Sequence, residues 1–378
     1  MYFFQIVEFY LSNLQNLNYT LASLNQLHKL KEIKFKINFY QIHYLHLTKL
    51  QMKKFLKIIL WIIGIVIIVI ASAVTYIKVA LPDVGDAPDM KIEATPERIA
   101  RGEYLANHVT LCIDCHSTRD WSRFSGPPLE GTFGKGGETF DQNFGFPGAY
   151  YSANITPEGI RNYTDGELFR LITTGVKKDG SAIFPVMPYP YYGRMDSEDI
   201  KSIIAYIRTL KPIINEVPKS ESDFPMNIII NTIPSKAQPV SLPPKSDVIN
   251  YGKYMVNAAA CMECHTKVDK GTLIAGMEFA GGREFQFPDG TILRSSNITP
   301  DNETGIGQWT EQSFMDIFHS RSDSSTLNTK VKPGEFNSIM PWTMYGRMND
   351  EDLKAIFAYL KSQKPISNKV EIYTPAAK

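Results

Sequence analysis

All four cysteines of the chain lie in two copies of one pattern, Cys-x-x-Cys-His, which starts at Cys112 and again at Cys261. Two thiols separated by two residues can both reach one porphyrin edge and add to its vinyl groups, and the following histidine can ligate the iron. The pattern therefore predicts two covalently bound haem c groups. The residues expected to attach them are Cys112, Cys115 and His116 at the first site and Cys261, Cys264 and His265 at the second.

Two other chemistries use paired cysteines. A single Cys-x-x-Cys also occurs in redox-active dithiols and in zinc sites. The histidine that follows each pair fits a dithiol poorly. A four-cysteine zinc site would have to join pairs 149 residues apart, against roughly 15–20 residues in a common zinc ribbon. We therefore favour haem and keep a zinc-binding module as an alternative.

The overall composition is that of a globular protein without a strong charge bias. The chain has 378 residues, of which 43% are hydrophobic, and a formal net charge of +1. This length accommodates two ordinary domains with additional terminal segments. The near-zero charge argues against nucleic acid as a partner.

The two cysteine patterns lie within a duplicated segment. Small insertions shift the repeat distance between 143 and 153 residues, and each copy contains one predicted haem site, so each half is one haem module. Four further strings recur after each pattern: Asn-Ile-Thr-Pro at 154 and 297, Met-Pro at 187 and 340, Tyr-Gly-Arg-Met at 192 and 345, and Lys-Pro-Ile at 211 and 364.

Each module is expected to fold as three helices, which predicts an all-α fold. One helix precedes the cysteines, one lies in the middle, and the last carries an apolar stripe at helical spacing. The expected starts are Pro96, Thr164 and Asp196 in the first module and Asp247, Thr310 and Asn349 in the second. We place the modules at 94–212 and 246–368, with a proline-rich linker at 213–245 whose isoleucines at 228–230 should be buried.

The sixth ligand of each iron is predicted to be a methionine. A haem with a histidine ligand that carries electrons commonly takes a thioether on its other face. Met187 and Met340 recur before proline in equivalent loops. The alternative is that these methionines only fill the core. Met195 and Met348 also recur, but they lie at the start of the last helix and are expected to pack there.

Other polar residues could serve the haems or the fold. Recurring asparagine and arginine side chains could bind haem propionates, or could form turns and a solvated surface; they are Asn154, Asn297, Arg194 and Arg347. The histidines without a repeat partner near the modules, His108 and His319, are expected to be structural.

Residues 52–80 predict a membrane anchor. Between 55 and 77 the only charge is Lys57, which is the last of a cluster of lysines. An apolar helix of roughly 20 residues spans a bilayer, and the lysines keep its start in the cytoplasm. The modules should then lie in the periplasm. The alternative is a cleaved signal peptide, because the residues at 71–73 resemble a cleavage site.

Residues 1–51 differ in composition from the rest of the chain. They contain no glycine, proline, cysteine, aspartate or arginine. We interpret them as a mis-assigned start, with translation beginning at Met52, and assign them no function.

Two segments resemble a known family. The string at 297–310 and the residues Met340-Pro341-Trp342, followed by the acidic start of the last helix at 350–353, resemble the cytochrome c subunits of membrane-bound bacterial alcohol and sugar-acid dehydrogenases. The resemblance covers roughly 94–368. It implies tandem class I cytochrome c domains, which here would follow the N-terminal transmembrane helix predicted at 52–80. It also implies iron ligation by His116 with Met187 and by His265 with Met340.

The chain departs from that family in two respects. The family typically has three modules where this chain has two, and residues 158–161 replace its longer acidic loop in the first module. In single-haem relatives, a proline after the haem histidine accepts a hydrogen bond from its outer nitrogen. Pro127 or Pro128 could do this in the first module, and the second has no assigned equivalent.

These features predict an electron-transfer protein of the cytoplasmic membrane. The resemblance implies that it passes electrons in a periplasmic respiratory chain, from a dehydrogenase or other redox protein toward quinone or an oxidase. A methionine at each iron leaves no open coordination position. The alternative is a dihaem enzyme, such as a peroxidase or a sulfur-compound dehydrogenase, which needs a displaceable sixth ligand.

Overall fold

A computed structural model describes residues 24–376 except 288 and 333. The chain divides into two units, residues 1–73 and residues 74–378. The sequence predicts a mis-assigned start at residues 1–51. Residues 1–23 of that segment lie outside the described residues.

The N-terminal apolar segment is helical, as predicted. Helix α1 runs from Leu24 to Ala80 and therefore begins well before Met52. Its segment Leu30–Ala80 contains an 18-residue window of mean hydropathy 3.0, which as a helix is about 27 Å long. Large apolar side chains such as Trp61 are exposed along it. Length and composition suit a membrane span, and a signal sequence has the same properties.

The remaining described residues form a mostly helical unit. Short helices that the sequence did not predict accompany the expected ones. In the first half the helices are α2 (Pro96–Tyr104), α3 (Cys112–Cys115), α4 (Pro157–Ile160), α5 (Asp165–Thr174), α6 (Tyr189–Tyr192) and α7 (Ser197–Ile207). The chain continues through α8 (Met226–Ile229), α9 (Val248–Ala258), α10 (Cys261–His265), α11 (Glu311–Ser322), α12 (Ser324–Leu327), α13 (Trp342–Tyr345) and α14 (Asp350–Lys361).

Local capping chemistry explains where the longer helices start. Thr95 accepts from the Arg98 amide at the start of α2, with Pro96 in the first turn. Helices α5 and α11 begin with capping boxes at Thr164 and Thr310. A side chain that satisfies an otherwise unpaired first-turn amide typically stabilises a helix by about 1 kcal/mol. The predicted helix starts are confirmed to within a residue or two.

The helical fold that the sequence predicts is confirmed, and the described part of the chain adds a few short antiparallel strands. The strands are β1 (Thr139–Phe140), β2 (Gly148–Tyr151), β3 (Glu221–Ser222), β4 (Val268–Asp269), β5 (Thr272–Leu273), β6 (Glu284–Gln286), β7 (Ile292–Arg294) and β8 (Tyr373–Thr374). The sheet orders are β1-β2-β3, β4-β5 and β6-β7-β8. Their registers pair Phe140 with Tyr150 and Phe285 with Leu293.

The first and last long helices of each half cross at a glycine. A Cβ atom on Gly102 would lie 1.8 Å from the carbonyl oxygen of Ser202, and one on Gly252 would lie 1.9 Å from that of Ala355. No side chain fits at such a distance, so only glycine permits either crossing. The same close approach thus brings α2 onto α7 and α9 onto α14.

The two halves share one apolar core. A continuous cluster includes the fully buried Leu105 and Ile204 of the first half and Met255 and Leu353 of the second. The halves therefore form one compact unit rather than two separate bodies.

The linker lies along the surface of this unit. The Gln238 amide donates to the Gly193 carbonyl (2.8 Å), and the Leu242 amide donates to Asp196 (2.8 Å). The prediction that its isoleucines would be buried is only partly correct, because Ile229 in α8 is 41% exposed.

Two tyrosine hydroxyls join the halves in a reciprocal arrangement. Tyr254 of α9 donates to Asp199 of α7 (2.6 Å) and accepts from the Asp196 amide (3.0 Å). Tyr104 of α2 donates to Asp352 of α14 and accepts from the Asn349 amide (3.1 Å). Each half thus presents one tyrosine to the start of the other half's last helix. We call this pair of contacts the tyrosine clasp.

Candidate haem-binding sites

Helices α3 and α10 present the cysteines in single turns with a shared local conformation. The residue before each turn is left-handed, at φ 56° for Leu111 and φ 48° for Ala260. This conformation costs roughly 1–2 kcal/mol for a residue with a Cβ atom, so the surrounding structure must stabilise it.

A repeated tyrosine holds the backbone before each turn. Tyr192 donates to the Thr110 carbonyl, and Tyr345 donates to the Ala259 carbonyl (2.6 Å). Both tyrosines belong to the recurring Tyr-Gly-Arg-Met string. The sequence analysis noted the recurrence of this string but not the role of its tyrosine.

The four cysteines are free thiols. Burial raises the pKa of Cys115 and of Cys261 to about 12. A redox-active dithiol needs a thiol with a lowered pKa, so these two environments disfavour the dithiol alternative.

A backbone carbonyl orients each histidine. The distance from Nδ1 to the carbonyl oxygen is 2.6 Å between His116 and Ala153, and 2.8 Å between His265 and Ser296. Because a carbonyl only accepts, each Nδ1 carries the hydrogen and each Nε2 keeps its lone pair for a metal. Burial lowers the pKa of both imidazoles, which favours the neutral form that iron requires.

The predicted proline acceptor is wrong. The Pro127 carbonyl accepts from the Asp120 amide (3.0 Å), and Pro128 pairs with Arg119 in an isolated bridge. The acceptor for His116 instead lies 37 residues along the chain, at Ala153. Any residue type can supply a backbone carbonyl, so composition gave no signal for it.

The asparagines of Asn-Ile-Thr-Pro form turns, which is one of the two roles expected for them. Asn154 accepts from the amide and hydroxyl of Thr156 (3.0 and 2.7 Å) and donates to the Ile213 carbonyl (2.8 Å). Asn297 makes the same bonds with Thr299 and Ile366. Each asparagine directly follows the residue whose carbonyl holds the histidine, so this turn fixes the acceptor in place.

The predicted methionine ligands differ in burial from the other recurring pair. Met187 and Met340 are half-buried at the edge of the core, immediately before α6 and α13. Met195 and Met348 are 1% and 3% exposed, as expected for packing residues. Iron ligation by Met187 and Met340 stays a prediction.

The remaining candidates are also placed. Arg194 and Arg347 are exposed, and within the described residues their side chains have no hydrogen bond or ion pair. His319 contacts the Gly346 carbonyl (3.1 Å) and Asp350 (3.0 Å), which is the structural role expected of it. His108 is half-buried against the Tyr104 ring.

The donor sets fit haem better than zinc. Each half provides two protonated thiols, one neutral imidazole with a free Nε2 and one thioether on a neighbouring loop. Within the part of the chain that the structure describes, no three His, Cys, Asp or Glu side chains converge as a metal site. The two cysteine pairs therefore do not combine as a four-cysteine zinc site.

Comparisons with known proteins agree with this donor chemistry. Residues 249–364 match the model of the cytochrome c family. The chain is 32% identical over 277 residues to the fructose dehydrogenase cytochrome subunit of Gluconobacter japonicus, covering 70% of this chain and 52% of that protein. It is 27% identical over 289 residues to the cytochrome c subunit of the quinone alcohol dehydrogenase of Gluconobacter oxydans, covering 72% and 56%.

The match to a third relative covers most of that protein's length. The chain is 28% identical over 268 residues to a dihaem c-type cytochrome of Cereibacter sphaeroides, covering 66% of this chain and 81% of that protein. In contrast, it spans little more than half the length of the two dehydrogenase subunits. The chain therefore contains a cytochrome c domain and resembles the cytochrome subunits of alcohol, fructose and gluconate dehydrogenases.

Proposed function

We propose that this protein is a membrane-anchored dihaem c-type cytochrome that passes electrons from a periplasmic dehydrogenase toward quinone or an oxidase. The observation that carries the proposal is the double occurrence of one site geometry. Each half has a cysteine turn that follows a left-handed residue and a histidine whose Nδ1 is held by a distant carbonyl.

Eight residues would hold the two haems, one set in each module at 94–212 and 246–368. Haem supplies one-electron chemistry at its iron, and two axial ligands from the protein would leave no open position for a substrate, which suits electron transfer. The first set is Cys112, Cys115, His116 and Met187, and the second is Cys261, Cys264, His265 and Met340.

The chain's own residues would tune both irons. The carbonyls of Ala153 and Ser296 polarise the histidine N–H groups and make the imidazoles better electron donors to iron. The thioethers of Met187 and Met340 favour the reduced iron and raise its potential. The half-buried position of both methionines supports close approach to a haem at the core edge.

The relatives and α1 support the proposed partner and location. The relatives are named as cytochrome subunits of fructose, alcohol and gluconate dehydrogenases, which supports a dehydrogenase as donor. The lysines before the apolar run of α1 support a cytoplasmic start and periplasmic modules. A helix that remains attached after export would hold the protein in the inner membrane.

Ligand variants of the haem-loaded chain test this function. Met-ligated ferric haem has a weak red absorption band that arises from the sulfur–iron bond. We expect Met187→Ala and Met340→Ala each to remove about half of this band and to lower one midpoint potential, with Met195→Ala as the packing control. Two unchanged spectra together with peroxide-dependent turnover would contradict the carrier and favour a dihaem enzyme.

A further inference from the structure

A loop of the first half contacts the second half next to Met340. The Phe124 amide donates to the Thr329 carbonyl, and the Val331 amide donates to the Ser122 carbonyl, both at 2.9 Å. The loop then reaches Ser125, whose side chain is fully buried and whose backbone is left-handed at φ 62°. A serine in this conformation carries a backbone cost, so its contacts must hold it there.

The Ser125 contacts converge on the loop that carries Met340. Its hydroxyl donates to the Met340 carbonyl (2.6 Å) and accepts from the Trp342 amide (3.1 Å). Its amide donates to Asn337 Oδ1 (2.8 Å). One residue of the first half thus holds the backbone at and after Met340 and the side chain of Asn337 before it.

Ser125 is also tied to the first cysteine turn. Its carbonyl accepts from Arg119 Nη2 (2.8 Å), and Arg119 forms an ion pair with Asp114 (3.2 Å). Asp114 lies between Cys112 and Cys115 and is 1% exposed. A continuous series of partly buried polar contacts therefore runs from the first cysteine turn to the second methionine loop.

The arrangement is not symmetric. Each methionine carbonyl accepts from the amide two residues further on in its own loop, Tyr189 for Met187 (2.7 Å) and Trp342 for Met340 (2.8 Å). The Met340 carbonyl also accepts from Ser125 of the other half. The second half contacts this region at Tyr191, four residues after Met187. The Tyr191 hydroxyl donates to Glu263 (3.1 Å), and the Tyr191 carbonyl accepts from Asn257 (2.9 Å). Among the described residues, Met340 accepts a hydrogen bond from the opposite half, and Met187 does not.

We propose that Ser125 is a positioning residue for the sixth ligand of the second haem, so that the first half controls methionine ligation in the second. This inference rests on the proposed function, in which Met340 binds iron. The thioether is a neutral ligand whose bond to ferric iron is weak, so its occupancy depends on how firmly the loop is held. Ser125 supplies that restraint from the opposite half.

The test uses the full, haem-loaded chain and two variants at one position. Ser125→Ala removes the hydroxyl, and Ser125→Gly removes it while also suiting the left-handed backbone. Ser122→Ala is the matched control, because that exposed hydroxyl donates to Asp120 (2.6 Å) within its own loop. The readouts are the red absorption band, haem content and both midpoint potentials.

Loss of two hydrogen bonds should raise the methionine-dissociated fraction of the second ferric haem about tenfold. We expect both Ser125 variants to weaken the band and lower one midpoint potential, with two haems retained and the Ser122 variant unchanged. Equal shifts of both potentials, or spectra like those of Ser122→Ala, would overturn the inference.

Met340→Ala distinguishes a failure of the positioning role of Ser125 from a failure of iron ligation by Met340. If Met340→Ala removes half of the band while the Ser125 variants leave it intact, only the positioning role fails. If Met340→Ala leaves the band intact, Met340 ligation fails and the positioning role fails with it.

Discussion

The tyrosine clasp yields a quantitative prediction about how the halves hold together. Tyr254→Phe removes the hydroxyl that donates to Asp199, and Tyr104→Phe removes the one that donates to Asp352. Both changes keep the ring and so preserve its packing. The two variants therefore report on the hydroxyl groups alone.

The two variants should lose different amounts of stability, because the two aspartates keep different hydrogen-bond partners. Asp199 keeps a bidentate ion pair with Arg101 (2.8 and 2.9 Å) after Tyr254→Phe. Asp352, which is 1% exposed, keeps only the Tyr251 hydroxyl (2.6 Å) among the described residues after Tyr104→Phe. A hydrogen bond to a charged group contributes about 1.5–3 kcal/mol, and a buried carboxylate with fewer donors costs more.

We therefore expect Tyr254→Phe to lower the free energy of unfolding by about 1.5 kcal/mol and Tyr104→Phe by about 3 kcal/mol. The assay is guanidinium unfolding of the detergent-solubilised, haem-loaded chain, followed by far-ultraviolet circular dichroism. Tyr206→Phe is the matched control, because its hydroxyl accepts from Asn107 (2.9 Å) within the first half. Its expected loss is under about 1 kcal/mol.

The shared core predicts a single transition for all variants. Losses at Tyr104 and Tyr254 no larger than at Tyr206 would refute the role of the clasp. Two separate unfolding transitions in the unaltered protein would refute the shared core itself.

Three further outcomes follow from the same contacts. Gly102→Ala and Gly252→Ala should each destabilise the fold by at least about 3 kcal/mol, because the new methyl group meets a backbone carbonyl. Thermal unfolding measures this loss of stability. Losses below about 1 kcal/mol would contradict the close helix crossings. Asn297→Ala should cost about 1–3 kcal/mol and alter the spectrum of the second haem alone; an unchanged melting temperature would count against the turn. Burial and the Asp199 charge raise the pKa of Tyr254, so the unfolded state loses this proton first and stability should fall as the pH rises above about 10. The free energy of unfolding should fall less steeply with pH in Tyr254→Phe. Denaturant titrations at several pH values measure this, and an equal fall in both proteins would contradict the prediction.

Local signals predicted the starts of the longer helices well. Thr164 and Thr310 cap helices through contacts three residues away, so the cause lies within a short window of sequence. The two cysteine patterns are equally local. Strands of two or three residues, such as β4 and β5, carry too little alternation to be recognised from sequence.

Long-range contacts were not predictable in the same way. The histidine acceptors are backbone carbonyls, and the Tyr104–Asp352 contact joins residues 248 apart. A signal for the clasp did exist, because tyrosine recurs at 104 and 254 and aspartate at 199 and 352, at nearly the repeat distance. Recurrence showed that these residues matter, but their reciprocal pairing depends on the way the halves pack.

Counting covalent haem on the purified chain tests the central claim most directly. A pyridine haemochrome assay should give two haems per chain, falling to one when Cys112 and Cys115 are both replaced by alanine. The same loss is expected for the double replacement of Cys261 and Cys264, and the two single-haem proteins should differ in midpoint potential. One haem or none in the unaltered protein, or bound zinc in its place, would contradict the account.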